Sequence, residues 1–401
     1  MQRRSFLKLS AAAGAIYAYS GRTPSLASDS EPRIQRYVPL GSTGLTVSDI
    51  SFGGSRLSDS SLVSYAYDRG VTYFDTAESY RGGASESAVG TALAGVRDKV
   101  IIASKTRARA GQGQREIMSA LENSLRRLRT DYVDLYYIHA VNSLDRLENP
   151  EWGEFTERAI EQGKIRFRGM SGHGSKLVQC LDYALDQDMV DVVLVAFNFA
   201  QDPTFVEKIK HKFHYVSLQP GLVEVLDRAR SKGVGVAAMK TLMGARLNDM
   251  RKYESHGATF AQAALKWVLN SGRVDVALIS MTDEYDIDEY LGASGAYPVA
   301  ELDEDLLTRY VAVQGSQYCQ QGCGTCADSC TYGVPISDVL RTRMYAVDYQ
   351  DVQLAMDSYA NLDGGATACL NCVEQTCLGA CPNNIPIASF TRDAAQRFSL
   401  A

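Results

Sequence analysis

The stretch Val71-Thr-Tyr-Phe74-Asp75-Thr76-Ala77-Glu78-Ser79-Tyr80 decides the fold. Four apolar or β-branched residues make a short buried strand, a carboxylate closes it, and a polar loop follows before a helical stretch begins. Working outward in both directions, the same unit recurs. The other runs are Asp49-Ile-Ser-Phe, Val100-Ile-Ile-Ala, Val133-Asp-Leu-Tyr-Tyr-Ile, Ile165-Arg-Phe-Arg-Gly, Val190-Asp-Val-Val-Leu-Val, Val234-Gly-Val-Ala-Ala and Val274-Asp-Val-Ala-Leu-Ile. Eight strand-then-helix units between residues 28 and 312 is the number that closes a (β/α)8 TIM barrel, an α/β fold. Between the runs, Ile117, Leu121, Leu125 and Leu128 recur within Gln114 to Arg129, and Phe260, Ala263, Ala264 and Trp267 within Thr259 to Leu269. Spacings of three and four put one apolar stripe of each helix against the sheet. An open doubly wound sheet would alternate in the same way, but no run is followed by GxGxxG opening a helix. Gly53-Gly54, Gly82-Gly83 and Gly111-Gln-Gly113 all lack that spacing.

The chain has 401 residues, 41 Lys+Arg against 47 Asp+Glu and 45% hydrophobic residues, which excludes disorder and fibrous classes. A net charge of −6 supplies no basic field for nucleic acid. No run approaches the ~18 apolar residues of a membrane span. The first 27 residues read as a signal peptide: Met1-Gln2-Arg3-Arg4-Ser5-Phe6-Leu7-Lys8, a weakly apolar Leu9 to Tyr19, then small Ser25 and Ala27 before a cleavage point. The paired arginines followed by Phe-Leu-Lys resemble the twin-arginine export signal, which carries proteins across the membrane already folded. Cleavage after Ala27 removes four basic residues and no acid, taking the mature chain to about −10.

Chemistry in such barrels sits at the C-terminal ends of the strands. Asp75 ends the second run and Tyr80 lies five residues on; Lys105 ends the third run and His139 the fourth. Three consecutive strands are neighbours, so these four groups converge on one rim. An ammonium beside a phenol favours the phenolate, lowering a tyrosine from its ordinary value near ~10 and fitting it to exchange a proton near neutral pH. A rim whose polar groups only pair with one another is the competing reading.

Over roughly residues 36 to 300 the chain resembles the aldo-keto reductase family. The resemblance rests on Leu40-Gly41-Ser-Thr-Gly44-Leu-Thr-Val-Ser48, on Phe74 to Tyr80, and on Ser85-Glu86 and Val89-Gly90. It implies that Tyr80 is the acid/base, that Lys105 tunes it, that Asp75 anchors Lys105 and that His139 orients the carbonyl oxygen. The family's nicotinamide contacts fall on Ser171-Gly172-His173, with Leu194 where a Gln is usual and Asn198 as its substitute. Ser171, His173 and Asn198 are therefore the candidate cofactor contacts. After the eighth run, Asp283, Glu284, Asp286, Asp288 and Glu289 would repel a 2′-phosphate, so NAD is expected over NADP if a nicotinamide binds.

Eight of the nine cysteines fall in two quartets, Cys319-x3-Cys323-x2-Cys326-x3-Cys330 and Cys369-x2-Cys372-x4-Cys377-x3-Cys381. They are offset by 49 to 51 residues and followed by the matching tails Thr-Tyr-Gly-Val-Pro-Ile and Pro-Asn-Asn-Ile-Pro-Ile, a duplication. Each half resembles the C-x2-C-x2-C-x3-C-P run of bacterial ferredoxins, which implies 4Fe-4S ligation by Cys319, Cys323, Cys326, Cys330, Cys369, Cys372, Cys377 and Cys381, with two clusters expected rather than one. In two-cluster ferredoxins the fourth Cys of each run serves the other cluster, so Cys330 would join the second trio and Cys381 the first. Four disulfides or zinc are the alternatives. Export in the folded state favours clusters, which are inserted before transport. Cys180 reads as a buried core residue.

The expected organisation is a signal peptide at 1–27, the barrel at 28–312 and a small, mainly helical ferredoxin-like iron–sulfur domain at 313–401. The expected function is that of a periplasmic oxidoreductase. It acts on a small carbonyl or alcohol substrate, passes electrons through the C-terminal clusters and works with a redox partner protein, not with nucleic acid. The alternative is an electron-transfer subunit whose barrel only docks partners.

Overall fold

The structure is a computed structural model describing residues 31–57, 59–201, 219, 221–243, 250–296, 298–314, 319, 323–382 and 384–398. The expected signal peptide lies outside these residues. All eight anticipated runs are strands: β3 (Ile50–Gly53), β4 (Tyr73–Asp75), β5 (Ile101–Thr106), β6 (Val133–Ile138), β7 (Ile165–Gly172), β8 (Val192–Ala196), β9 (Gly235–Met239) and β10 (Val276–Ser280). Each pairs in parallel with the next, and β10 returns to β3 to close the barrel. Strands covered on both faces read as continuous apolar runs, which is why this pattern was visible. The register sets Gly53 beside Asp75, Asp75 beside Ala103 and Lys105 beside Tyr137, so the rim residues of β4 to β6 lie at neighbouring heights.

An antiparallel hairpin, β1 (Tyr37–Pro39) and β2 (Thr46–Ser48), precedes the barrel. Its Leu40, Leu45 and Val47 pack with inward-facing Tyr73, Leu135, Val192, Ala237 and Val276 into one cluster. The buried hydroxyls of Tyr73 and Tyr137 meet at 3.0 Å inside the barrel. Left alone, each would cost about 1–3 kcal/mol. Outside the sheet, helix Gln114–Leu128 buries Ile117, Leu121, Leu125 and Leu128. Helix Phe260–Asn270, capped by the Thr259 side chain accepting from Gln262 N, buries Phe260, Ala263 and Ala264. Gly90 has a packing reason: a Cβ there would stand 2.5 Å from the Leu128 carbonyl.

Helix Glu301–Gln314 crosses the expected boundary at 312, and its Leu307, Tyr310 and Val311 belong to the barrel's outer core. Beyond it the described chain is helical, with Thr325–Asp328, Ile336–Val347, Val352–Ala360, Thr376–Ala380 and Ile387–Phe398. These helices share a second core of Val339, Tyr345, Ala355, Ile387, Ala394 and Phe398. From residue 32 onward the chain clusters as one compact unit. Hydrogen bonds tie the C-terminal helices to the barrel rim. Asp338 Oδ2 accepts from Asn142 Nδ2 at 3.1 Å and from Ser175 Oγ at 2.8 Å, and Arg341 Nη1 donates to the His173 carbonyl at 3.1 Å. No helix among the described residues is long and apolar enough to cross a membrane.

Candidate functional site

Lys105 is fully buried at the end of β5, where its ammonium donates to Asp75 Oδ1 and to the Thr76 carbonyl at 2.8 Å. Tyr80 opens a short 3-10 turn, Tyr80–Gly83, whose Arg81, Gly82 and Gly83 have φ of 50°, 63° and 91°. That left-handed passage turns the chain sharply after the Tyr, and glycine adopts it without strain. The Lys105 ammonium lies 4.9 Å from the Tyr80 ring centre, and the Tyr80 and His139 rings meet edge to face at 5.5 Å. Ser85 and Glu86 brace the loop. Ser85 Oγ donates to the Gly54 carbonyl at 2.7 Å, and the buried Glu86 accepts from Ser104 Oγ at 2.5 Å and from Arg127 Nε at 2.6 Å.

Asp75, Tyr80 and His139 line a cavity of about 700 Å³ at the barrel mouth, within the size range of small-molecule sites. The C-terminal helices form part of its wall through Asp338, Arg341 and Tyr345. Burial pulls the Lys105 ammonium down, but Asp75 and Tyr80 more than offset it, so Lys105 stays charged. The expectation of a lowered Tyr80 needs correction. Burial pushes the phenol up, Lys105 pulls it back only in part, and the net direction is upward. The site without ligand therefore presents Tyr80 as a protonated phenol. Burial, then Lys105, Arg107 and Arg146, hold His139 well below its usual range, so the imidazole is neutral.

The candidate nicotinamide contacts are not gathered together. His173 lines the cavity with a buried Nδ1 that lacks a hydrogen-bond partner, while Ser171 and Asn198 do not line it. Ser171 Oγ accepts from Ala140 N at 2.9 Å; Asn198 accepts from Ala200 N at 3.1 Å and donates to the Lys240 carbonyl at 3.3 Å. Leu194 faces the cavity with an apolar side chain where a Gln was expected. These residues do not form a carboxamide cradle, because backbone groups of the rim loops already engage two of the three. At the phosphate end, Asp283 caps helix Glu284–Leu291 by accepting from Asp286 N at 2.7 Å, which places carboxylates at its start.

No disulfide joins any of the nine cysteines in the structure. Cys180 is fully buried in helix Leu177–Asp186, as read from the sequence. The other eight divide into two neighbourhoods that cross the sequence runs. Cys319, Cys323, Cys326 and Cys381 line one small cavity with Gly324, Pro382 and Leu340. Burial, then Cys381 and Cys323, push the Cys326 thiol up to about 11. On the other side, burial and then Cys330, Cys369 and Cys372 raise Cys377. Thr376 Oγ1 donates to the Ser329 carbonyl at 2.5 Å and Thr331 Oγ1 to Glu374 at 2.9 Å, which holds Cys330 beside the second run. Arg392 bonds the carbonyls of Cys369 and Cys372 at 3.0 and 2.8 Å. Among the described residues no three His, Cys, Asp or Glu side chains converge on a point that would hold one metal ion. Four thiols lining one cavity are nevertheless a donor set of the kind a polynuclear cluster uses, one thiolate to each iron.

A closed parallel barrel whose rim cavity is lined by a Tyr, a neutral His and an Asp paired with a buried Lys defines a barrel with proton-exchanging groups at its mouth. The chain belongs to the aldo/keto reductase family, which it matches over residues 53–304. It is an oxidoreductase of that type. It is 25% identical to the L-galactose dehydrogenase of Arabidopsis thaliana over 313 residues, 68% of this chain and 92% of that protein. It is 43% identical to a methylglyoxal reductase of Escherichia coli (strain K12) over 120 residues, 30% of this chain and 38% of that protein. The fold superposes on an aldo-keto reductase from Bacillus halodurans in its holo form with a TM-score of 0.55 and 21% identity, covering 68% of this chain and 95% of that one.

Three features of the site were not read from the sequence: Arg107, Lys240 and the C-terminal wall. Arg107, two residues past Lys105, was open to the same strand-end argument. The neutral histidines also carry a stability consequence. Folded His139 and His173 resist protonation, whereas unfolded histidine accepts a proton near pH ~6.5, so below that pH the unfolded state binds more protons. Stability should fall from pH 7 to pH 5, by up to about 1.4 kcal/mol per pH unit for each histidine. His139→Asn should reduce the slope of unfolding free energy against pH by up to about one proton; an unchanged slope would exclude this account.

Proposed function

We propose that this chain is an exported, periplasmic oxidoreductase that interconverts a small carbonyl and its alcohol at the rim cavity, with electrons passing through C-terminal 4Fe-4S clusters. The observation that carries the reading is the meeting of Asp75, Tyr80 and His139 at one cavity, with Lys105 buried against Asp75 behind it and the C-terminal helices forming part of its wall. Reduction of C=O to CH–OH consumes two electrons and two protons; the rim residues handle the one proton that ends on oxygen, and the electrons and the carbon-bound hydrogen would come from the redox cofactor and solvent. Tyr80 delivers the proton that ends on oxygen, Lys105 stabilises the phenolate left behind, Asp75 holds Lys105 charged, and neutral His139 orients the oxygen. A nicotinamide, preferably NAD, is in keeping with family membership. The residues here do not form its carboxamide cradle, so no step is assigned to it.

When bound, 4Fe-4S clusters supply one-electron storage. Cys319, Cys323, Cys326 and Cys381 would hold one, and Cys330, Cys369, Cys372 and Cys377 the other. Gly324 and Ser337 line both the rim cavity and the first thiol cavity, which supports a short route between substrate and electron store. A redox partner protein would exchange electrons at this C-terminal region. Family membership and the assembled rim favour this reading over a barrel that only docks partners.

Purifying the native protein anaerobically tests it. A brown chromophore, iron and acid-labile sulfide in equal amounts, little extractable nucleotide and a mature N-terminus near residue 28 are expected. A colourless, iron-free protein would remove the cluster half of the proposal, and an intact leader in the cytoplasm would remove the export half.

A further inference from the structure

The cavity holds cations that the rim chemistry does not use. Arg107 follows β5 directly and lines the cavity. Its Nη1 donates to the Asp357 carbonyl at 3.0 Å, while its Nε is buried without a hydrogen-bond partner. Neighbouring Glu78 directs Oε1 to Thr106 Oγ1 and the Arg107 backbone N, at 2.6 and 3.0 Å, and not to the guanidinium. Lys240, just after β9, also lines the cavity, and its partner is the Tyr345 hydroxyl. The charged groups acting on His139 and His173 are all cationic: Lys105, Arg107, Arg146, Lys240 and Arg341. Carboxylates oppose part of this charge, Asp338 pairing with Arg341 at 2.8 Å and Asp357 and Glu78 acting on Arg107, but the buried Arg107 Nε still has no hydrogen-bond acceptor, and a bound anion would supply one.

We propose that the substrate carries a carboxylate on the atom next to its reacting carbon, and that Arg107 binds this carboxylate while the reacting oxygen lies between Tyr80 and His139. The substrate class is then a 2-oxo acid and its 2-hydroxy acid. The inference rests on the reading of Tyr80 as acid/base. Arg107, Tyr80 and His139 all line the rim cavity, so one ligand there can reach the three groups. A guanidinium matches a carboxylate in two parallel hydrogen bonds, and Arg107 stands one residue past β5 with its Nη1 tied to the Asp357 carbonyl. Nucleotide phosphates share the anionic chemistry, and the test separates the two sources.

The experiment is calorimetric titration of the full-length protein, as isolated, with oxamate, a non-reducible mimic of a 2-oxo acid, and with oxamide, its neutral diamide. Oxamate should bind at least about tenfold more tightly than oxamide. Arg107→Gln should weaken oxamate by about 10–100-fold, with a smaller loss in Arg107→Lys, which keeps the charge but not the fork. Tyr80→Phe should leave oxamate affinity within a few-fold. Equal affinity for oxamate and oxamide, or oxamate binding indifferent to Arg107→Gln, overturns the carboxylate site. Arg107-dependent binding of pyrophosphate with no binding of oxamate also overturns it, by assigning the cation to a nucleotide. In each of those cases an inactive Tyr80→Phe leaves the oxidoreductase reading standing. A fully active Tyr80→Phe overturns the assignment of Tyr80 as acid/base, on which the inference rests. Thermal midpoints of both Arg107 variants report folding, and the wild-type comparison of the two probes does not depend on either variant.

Discussion

Tyr80→Phe should lower turnover by about 10²–10⁴-fold, the range a positioned proton donor contributes, while leaving iron content and oxamate affinity close to wild type. The substitution removes one oxygen and keeps the ring that packs edge to face on His139. The direction of reaction enters through the proton. Burial outweighs Lys105 and raises the phenol, so around neutral pH Tyr80 is a ready acid and a poor base. Carbonyl reduction should therefore be nearly flat from pH 6 to 9, whereas alcohol oxidation, which needs the phenolate, should climb as pH rises through that interval. Lys105→Met removes the one strong influence that pulls the phenol down. It should depress oxidation more than reduction and leave a buried Asp75 without its partner, lowering stability by roughly 3–5 kcal/mol. Steady-state rates in both directions across pH decide the matter. Equal pH profiles for reduction and oxidation would show that Tyr80 does not carry the proton.

The barrel was legible because each of its strands is covered on both faces and so appears as an apolar, β-branched run. The rim groups were legible because Asp75, Lys105 and His139 sit at or just beyond the last residue of such a run. The hairpin was less so: its three-residue strands are too short to establish a period of two, although Leu40, Leu45 and Val47 complete the barrel interior. Burial was the quantity missing from the reading of Tyr80, since adjacency to a lysine is written in the fold's strand order while desolvation depends on what covers the site. That cover comes from far along the chain. Asp338 meets Asn142 and Ser175 across 196 and 163 residues, and no local pattern announces such contacts.

The cysteine arrangement yields the prediction with the clearest alternatives. If ligation crosses between the two runs, Cys319 and Cys381 serve one cluster and Cys330 and Cys372 the other. Cys319→Ala and Cys381→Ala should then each lose about half of the iron and sulfide, and the double variant should lose no more than either single change. Cys319→Ala with Cys330→Ala should lose nearly all of it. Ligation within each run reverses the two doubles: the Cys319/Cys330 pair would retain half and the Cys319/Cys381 pair would retain almost none. Disulfides give a third pattern, no iron in any variant and one newly unpaired thiol beside Cys180 in each single change. The physical reason to expect crossing is the docking of helix Thr325–Asp328 on helix Thr376–Ala380. That contact brings Cys381 to the cavity of the first trio, while the Thr376 and Thr331 hydrogen bonds hold Cys330 beside the second. Because each cluster would draw ligands from both runs, losing either should also loosen the C-terminal helices that wall the rim cavity. Hydrogen exchange in Ile336–Val347 should therefore rise in the cluster-deficient variants while β4 to β6 remain protected.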